Sequence, residues 1–226
     1  MYQTMQRQLD KLRQKIAILG AEVEESMHFA LKALETRDER LARQVIDSDD
    51  RIDQLEIDIE EDCLQTLALH QPVADNLRYV VAILKVNQDL ERIGDLCVNI
   101  AEQVQMLCKL PPAELPGLRI MQMAGMARSM LRKSLDAMTT LNIELAKEVR
   151  AADPQLDDLH RLTYTIVEET LHKDPGLTDW ALSCLSISRY IERIGDQSVN
   201  IAEDVIYMVE GEIYRHRSKR EKAGKL

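Results

Sequence analysis

The chain has 226 residues, 45% of them apolar but only 4% aromatic, and its apolar content comes from Leu, Ile, Ala, Val and Met, as in helix bundles. A formal net charge of −10 argues against a nucleic-acid binder, which needs a basic face to neutralise phosphates. The longest uncharged apolar run, Tyr79 to Leu84, falls far short of the ~20 residues that a membrane span needs. Cys63, Cys97, Cys108 and Cys184 form no C-x-x-C pair and lack zinc-site spacing, and Cys97 and Cys184 fall on apolar stripes. They read as reduced core residues of a cytosolic protein, and no charged-then-apolar leader opens the sequence, so a soluble, intracellular protein is expected.

In chain order, Leu9, Leu12, Ile16, Leu19, Val23, Met27, Ala30 and Leu34 recur at helical steps and predict a first helix from about Gln3 to Thr36. Asp38 is placed to cap a second helix carrying Leu41, Val45, Ile52, Leu55 and Ile59 to about Leu69, where Gln71 and Pro72 break it. A third runs from Ala74 to Cys108 with Ile83, Val86, Leu90, Ile93, Cys97, Ile100, Val104 and Leu107 as its seam. Pro111, Pro112, Pro116 and Gly117 then mark a boundary.

Helix four is expected over Leu118 to Thr140 with Met121, Leu131, Leu135 and Met138 inward, and Asn142 caps helix five. Pro154 lies inside that fifth pattern: either the helix kinks there or it starts there, with Asp153 as N-cap. After Asp174, Pro175 and Gly176, helix six spans Thr178 to about Val209 and Gly211 ends it. The basic tail, residues 212–226, reads as a solvated, disordered end, with weak attraction to an anionic membrane surface as the alternative.

The two halves are copies. ERIGDLCVNIAEQV (91–104) recurs as ERIGDQSVNIAEDV (192–205), eleven of fourteen positions identical at an offset of 101 residues. Upstream an offset of 104 pairs Asp49, Ile52 and Asp53 with Asp153, Leu156 and Asp157. The expected fold is all-α: two tandem three-helix bundles, residues 1–110 and 117–211, related by internal duplication.

At about 100° per residue, Glu91, Asp95, Asn99 and Glu102 share one stripe within roughly 80°, nearly opposite the apolar seam. Glu192, Asp196, Asn200 and Glu203 repeat it. An ordinary solvated helix face is the bland explanation. Packing does not dictate identity on an exposed face, however, and here the face is repeated to identity while the seam keeps only apolar character. Carboxylates at i and i+4 also repel, by a few tenths of a kcal/mol per pair, which a bound cation would reverse. The preceding helices offer partners at the same spacing, Asp49 with Asp53 and Asp153 with Asp157. Four carboxylates on two adjacent helices suit a hard cation such as ferric iron, manganese, magnesium or calcium.

Gly94 and Gly195 recur within the motif, and helix-interior glycine suggests close approach by another backbone. Arg92 and Arg193 are placed to neutralise neighbouring acids. A di-iron oxidase would use Glu-x-x-His pairs in a bundle. Glu25/His28 and Glu169/His172 have that spacing, but neither is duplicated nor sits with the repeated acids, and both histidines read as surface residues. No phosphate loop, nucleophile elbow or Cys/His arrangement is present.

The double E-R-I-G-D motif, each copy preceded by D-x-x-x-D on the helix before, closely resembles the PhoU family of phosphate-uptake regulators over nearly the whole chain. The resemblance implies a cytoplasmic, non-enzymatic, all-helical negative regulator of the phosphate response. It implies multinuclear metal clusters, of iron, manganese or magnesium, at Asp49, Asp53, Glu91 and Asp95 and at Asp153, Asp157, Glu192 and Asp196, with Asn99, Glu102, Asn200 and Glu203 as accessory positions. The partners it implies are the ATPase subunit of a phosphate ABC transporter and a phosphate-sensing histidine kinase. Contact with a membrane would be peripheral at most, and a second copy of the chain is a further possible partner.

Overall fold

Helix entry is set at equivalent positions in both halves. Asp38 accepts from the Arg40 and Leu41 amides at 2.8 and 3.3 Å, and Asn142, its equivalent, accepts from the Glu144 and Leu145 amides at 2.9 and 3.3 Å. Just before each cap the chain passes through left-handed backbone, at Arg37 (φ 53°) and Leu141 (φ 52°). In this computed structural model, which describes residues 2–211 apart from 114 and 116 and side chains from Thr4 onward, seven α-helices follow. They are α1 (Tyr2–Thr36), α2 (Glu39–Asp47), α3 (Asp49–His70), α4 (Ala74–Cys108), α5 (Ile120–Thr140), α6 (Ile143–Lys173) and α7 (Thr178–Glu210). A 3-10 turn, Pro175–Leu177, joins the last two.

The expected second helix is split at Ser48 (φ −93°, ψ −4°) into α2 and α3, a correction to the continuous helix that the apolar pattern suggested. Its counterpart α6 runs unbroken through Pro154, so Asp153 is helical and not an N-cap. The split in one half and the proline in the other flank equivalent acids: Ser48 immediately precedes Asp49, and Pro154 immediately follows Asp153. Helix α5 begins at Ile120, and Met121, expected inward, is 45% exposed while Met123 is fully buried. Met123 keeps the helical spacing to the buried Ala127, Met130 and Leu131, whereas Met121 falls on the opposite face from Met130. The basic tail lies outside the described residues.

α4 and α7 form the central pair, with the most extensive helix–helix contact of the fold. They run in opposite directions: Arg78 lies beside Gly211, and Lys85 Nζ bonds Asp204 Oδ1 at 3.1 Å while sitting 4.9 Å over the Tyr207 ring. One apolar core runs continuously from Leu12 and Ile16 of α1 through Ile93 and Ile100 of α4 to Ile194 and Ile201 of α7. The two halves are therefore fused along their longest helices, not strung on a linker. Where the chain crosses between halves, Trp180 Nε1 donates to Pro111 O at 2.9 Å and Arg37 stacks over the Trp180 ring at 5.2 Å. Arg37 also donates to the carbonyls of Leu107 and Leu110, tying the end of α4 in place. Among the described residues no helix is long and apolar enough to cross a membrane.

Two acidic ladders as a candidate metal centre

Each duplicated motif meets the acid-bearing helix before it because glycine removes the obstacle. A Cβ built on Gly94 would lie 3.2 Å from two side-chain carbons of Ile52, and one on Gly195 would lie 2.4 Å from Leu156 Cδ2. Ile52 and Leu156 are equivalent residues, so both glycines receive the same apolar side chain from α3 or α6. The close neighbour is thus a side chain, where the sequence suggested a backbone. Ile52 is flanked by Asp49 and Asp53, and Leu156 by Asp153 and Asp157, so seating the apolar residue sets the acids beside the opposite stripe.

The result in each half is a ladder of carboxylates along an antiparallel helix pair. Asp49 and Asp53 on α3 lie within electrostatic reach of Glu91 and Asp95 on α4. Asp153 and Asp157 on α6 stand likewise to Glu192 and Asp196 on α7. All eight predicted acids are brought together in two fours. The stripes do not face away from the bundle as helical geometry alone suggested. Asp49, Glu91, Asp153, Asp157 and Glu192 are half-buried, because the neighbouring helix covers one side of the stripe, while Asp53, Asp95 and Asp196 remain exposed.

Burial and mutual repulsion act in one direction. Partial burial, then the charges of Asp53, Asp95 and Asp50, push Asp49 up to about 6. Burial with Asp157, Asp196 and Glu203 does the same to Asp153, to about 6. Glu192 is pushed up to about 7 by burial and by Asp196, Asp157 and Asp153, with Arg193 opposing. Glu91 and Asp95 are raised by the same causes, burial first, with Arg92 opposing at Glu91. Carboxylates so placed favour anything that supplies positive charge, a proton or a cation. Among the described residues no group of three His, Cys, Asp or Glu side chains converges closely enough to hold a metal ion as it stands.

The accessory positions differ. Glu203 is held by Arg150 Nε at 3.3 Å, and Asn200 Nδ2 donates to Gln197 Oε1 at 3.4 Å. Glu102 is exposed and Asn99 half-buried. The histidines at 28 and 172 are exposed, and neither appears among the groups that perturb the ladder acids.

Each ladder has one further rung that the sequence reading missed. One turn beyond Asp53 lies Glu56, and one turn before Glu91 lies Asn87, whose Nδ2 donates to Glu56 O at 2.9 Å and Glu56 Oε1 at 3.2 Å. The equivalent residues, at the same offsets of 104 and 101, are His160 and Ser188, with His160 Nδ1 and Ser188 Oγ 2.8 Å apart. Residue identity differs at both positions, so a search for repeated letters passes over them. Extending each row by a helical turn would have found them.

A tandem three-helix bundle with a duplicated acidic ladder defines a class of protein, and comparison places the chain in it. The family described as PhoU domain matches residues 16–104 and again 120–205, and the chain belongs to that family. A relative from Aquifex aeolicus, named phosphate-specific transport system accessory protein PhoU homolog, is 36% identical over 217 residues, 96% of this chain and 97% of the relative. A protein of the same name from Pseudomonas putida is 34% identical over 95% of this chain and 84% of its own. The crystal structure of PhoU from Pseudomonas aeruginosa superposes with a TM-score of 0.87 at 33% identity, covering 92% of this chain and 99% of the other. That of the phosphate transport system regulatory protein PhoU from Streptococcus pneumoniae gives 0.81 at 30% identity, covering 92% and 98%.

Proposed function

We propose that the chain is an accessory regulator of a phosphate-specific transport system that restrains the phosphate-starvation response, working in the cytoplasm as a metal-dependent adaptor without catalysing a reaction. The observation that carries it is the pair of ladders: eight duplicated acids gathered into two fours on a scaffold whose relatives are named for phosphate transport. Its partners on this reading are the ATPase subunit of a phosphate ABC transporter and a phosphate-sensing histidine kinase, with a second copy of the chain as a further one.

The donor set suits iron, manganese or magnesium, since carboxylate oxygens are hard ligands. Asp49, Asp53, Glu91 and Asp95 would hold one centre, and Asp153, Asp157, Glu192 and Asp196 the other. Such a cation supplies positive charge between helices that otherwise repel. The chain's own residues do the rest: Ile52 and Leu156, seated on the glycines, keep the two rows in register, and drawing the rows inward would fix the angle of α3 against α4 and of α6 against α7. Partner surfaces built across those pairs would then depend on metal.

The test is a phosphate-starvation reporter in cells lacking the native protein, complemented with the parent or with an Asp95→Ala, Asp196→Ala double variant. The parent is expected to restore repression in high phosphate and the variant to leave the response on. A reporter indifferent to loss of the chain would contradict the regulatory role. Full repression by the variant would separate that role from the acids.

A further inference from the structure

Helices α1 and α5 run antiparallel where the two halves meet, and of the long helices that touch they make the least extensive contact. At one end they close: a Cβ built on Gly20 would lie 3.0 Å from Leu135 Cδ2. Towards the other end they part over a groove that follows α5 for three turns, from Arg132 back to Met121, ~16 Å. Its floor is apolar, with Met27 and Leu31 from α1 and Ala124 and Leu131 from α5. It deepens into two cavities of about 450 and 410 Å³, and Gly125 and Arg128 line both. A Cβ built on Gly125 meets no atom within 4 Å, so this helix-interior glycine, unfavourable relative to alanine, serves no contact among the described residues. Lys32 is held by Glu35 at 2.9 Å and Arg132 lies within electrostatic reach of Glu24. Arg128, between the cavities, makes no hydrogen bond or ion pair among the described residues.

The matching relief lies on α3. Ile57 and Leu64, 47% and 54% exposed, stand two turns apart on its outer face, ~10 Å, with the exposed Glu60 and Glu61 between them. The fold does not require apolar residues there: the equivalent positions of α6, at the offset of 104, hold Arg161 and Glu168, likewise exposed. Two apolar knobs with acids between them thus face two cavities with a free guanidinium between them. The helices are complementary as wholes too, α3 with eight acids to one arginine and α5 with three basic residues to one acid. We propose that the α1–α5 groove receives the outer ridge of α3 from a second copy of this chain, Ile57 and Leu64 entering the two cavities and Glu60 and Glu61 meeting Arg128. Groove and ridge are different surfaces of one chain, so the contact is head-to-tail and each protomer gives once and receives once. This gives a place to the second copy that the adaptor reading names as a partner, and it rests on that reading in no other respect.

The experiment is sedimentation velocity on the whole chain in chelator, so that metal at the ladders plays no part. The mass of the parent is expected to rise with concentration beyond that of one chain. Gly125→Gln with Arg128→Glu fills and recharges the groove, and Ile57→Ser with Leu64→Ser removes the ridge; all four positions are exposed, and retained helicity and melting temperature check that both forms fold. Each form alone should associate roughly tenfold or more weakly than the parent. An equimolar mixture of the two should give a one-to-one dimer and nothing larger, because one form keeps the ridge and the other keeps the groove. A parent that stays monomeric would overturn the inference and leave the groove for a helix of the transporter or the kinase. Association that neither form weakens, or a mixture that fails to pair, would overturn it by placing the contact between copies elsewhere. None of these results touches the regulatory reading, which the starvation reporter tests separately.

Discussion

Replacing the helix glycines 94, 125 and 195 one at a time by alanine tests how the ladders are positioned. Alanine gains about 1 kcal/mol of helix propensity over glycine wherever the new methyl meets nothing. Gly125 is that case, exposed and with no atom within 4 Å of its built Cβ. Gly125→Ala should therefore stabilise by about 0.5–1 kcal/mol. At Gly195 the methyl would stand 2.4 Å from Leu156 Cδ2 and 3.5 Å from Met130 Cε, with Leu156 wholly and Met130 almost wholly buried. Neither neighbour has free space, and overpacking costs about 1–3 kcal/mol. Set against the propensity gain, Gly195→Ala should lose about 1 kcal/mol net. Gly94 is intermediate, its methyl 3.2 Å from Cδ1 and Cγ2 of Ile52 and so short of room by only a few tenths of an ångström, and its two effects should roughly cancel. Thermal unfolding in chelator should rank the set Gly125→Ala, parent, Gly94→Ala, Gly195→Ala. For a chain of this size the extremes should differ by roughly 4–8 °C. Because Leu156 lies between Asp153 and Asp157, Gly195→Ala should also weaken metal binding at the second ladder while Gly125→Ala leaves it alone. A Gly195→Ala protein as stable as Gly125→Ala, with unaltered metal binding, would refute the account of glycine-seated rows.

The raised acids make metal-free stability depend on pH with a definite sign. Asp49 and Asp153 at about 6 and Glu192 at about 7 bind protons in the folded state at pH values where the unfolded chain has released them. Their contribution is lost as pH rises through the window from about 4 to 7, so in chelator the melting temperature should be higher at pH 5.5 than at pH 8, and a flat or opposite profile would contradict it. Added metal should remove that dependence and release protons on binding, measurable as buffer-dependent heats. At the seam between halves, Asp204→Ala removes a buried carboxylate from its pair with the half-buried Lys85 and should cost about 2 kcal/mol, read from the urea midpoint. An unchanged midpoint would mean that the seam does not rest on this pair. Trp180, the single tryptophan, reports on the crossover: Trp180→Phe removes the bond to Pro111 O and should cost about 1 kcal/mol in the same assay, and no loss would show the bond to be unimportant.

Much of this architecture is legible in the letters because the signals are local. Asp38 and Asn142 announce helix starts by the chemistry of their side chains, and the seams of α4 and α7 follow period alone. The pairing of the acids is legible too, since duplication fixes which rows belong together. What escapes is non-local. Nothing at Ser48 resembles a breaker, and the interruption shows only when α3 is seen turning Asp49 toward α4. The solvated look of Glu91 and Glu192 comes from one helix taken alone, because a helical wheel does not contain the neighbour that half-buries them. Glu56 and His160 are hidden for another reason: the halves diverge there, and divergence at a shared position is visible only after the fold superposes the rungs.

The most direct test is metal content by mass spectrometry on tag-free protein purified without added metal, parent against the Asp95→Ala, Asp196→Ala double variant. The account predicts more than a single metal ion per chain in the parent, lost in the variant with helicity intact. No metal in either protein, and none taken up by the parent on titration, would contradict it and leave the duplicated acids as a surface for a basic partner.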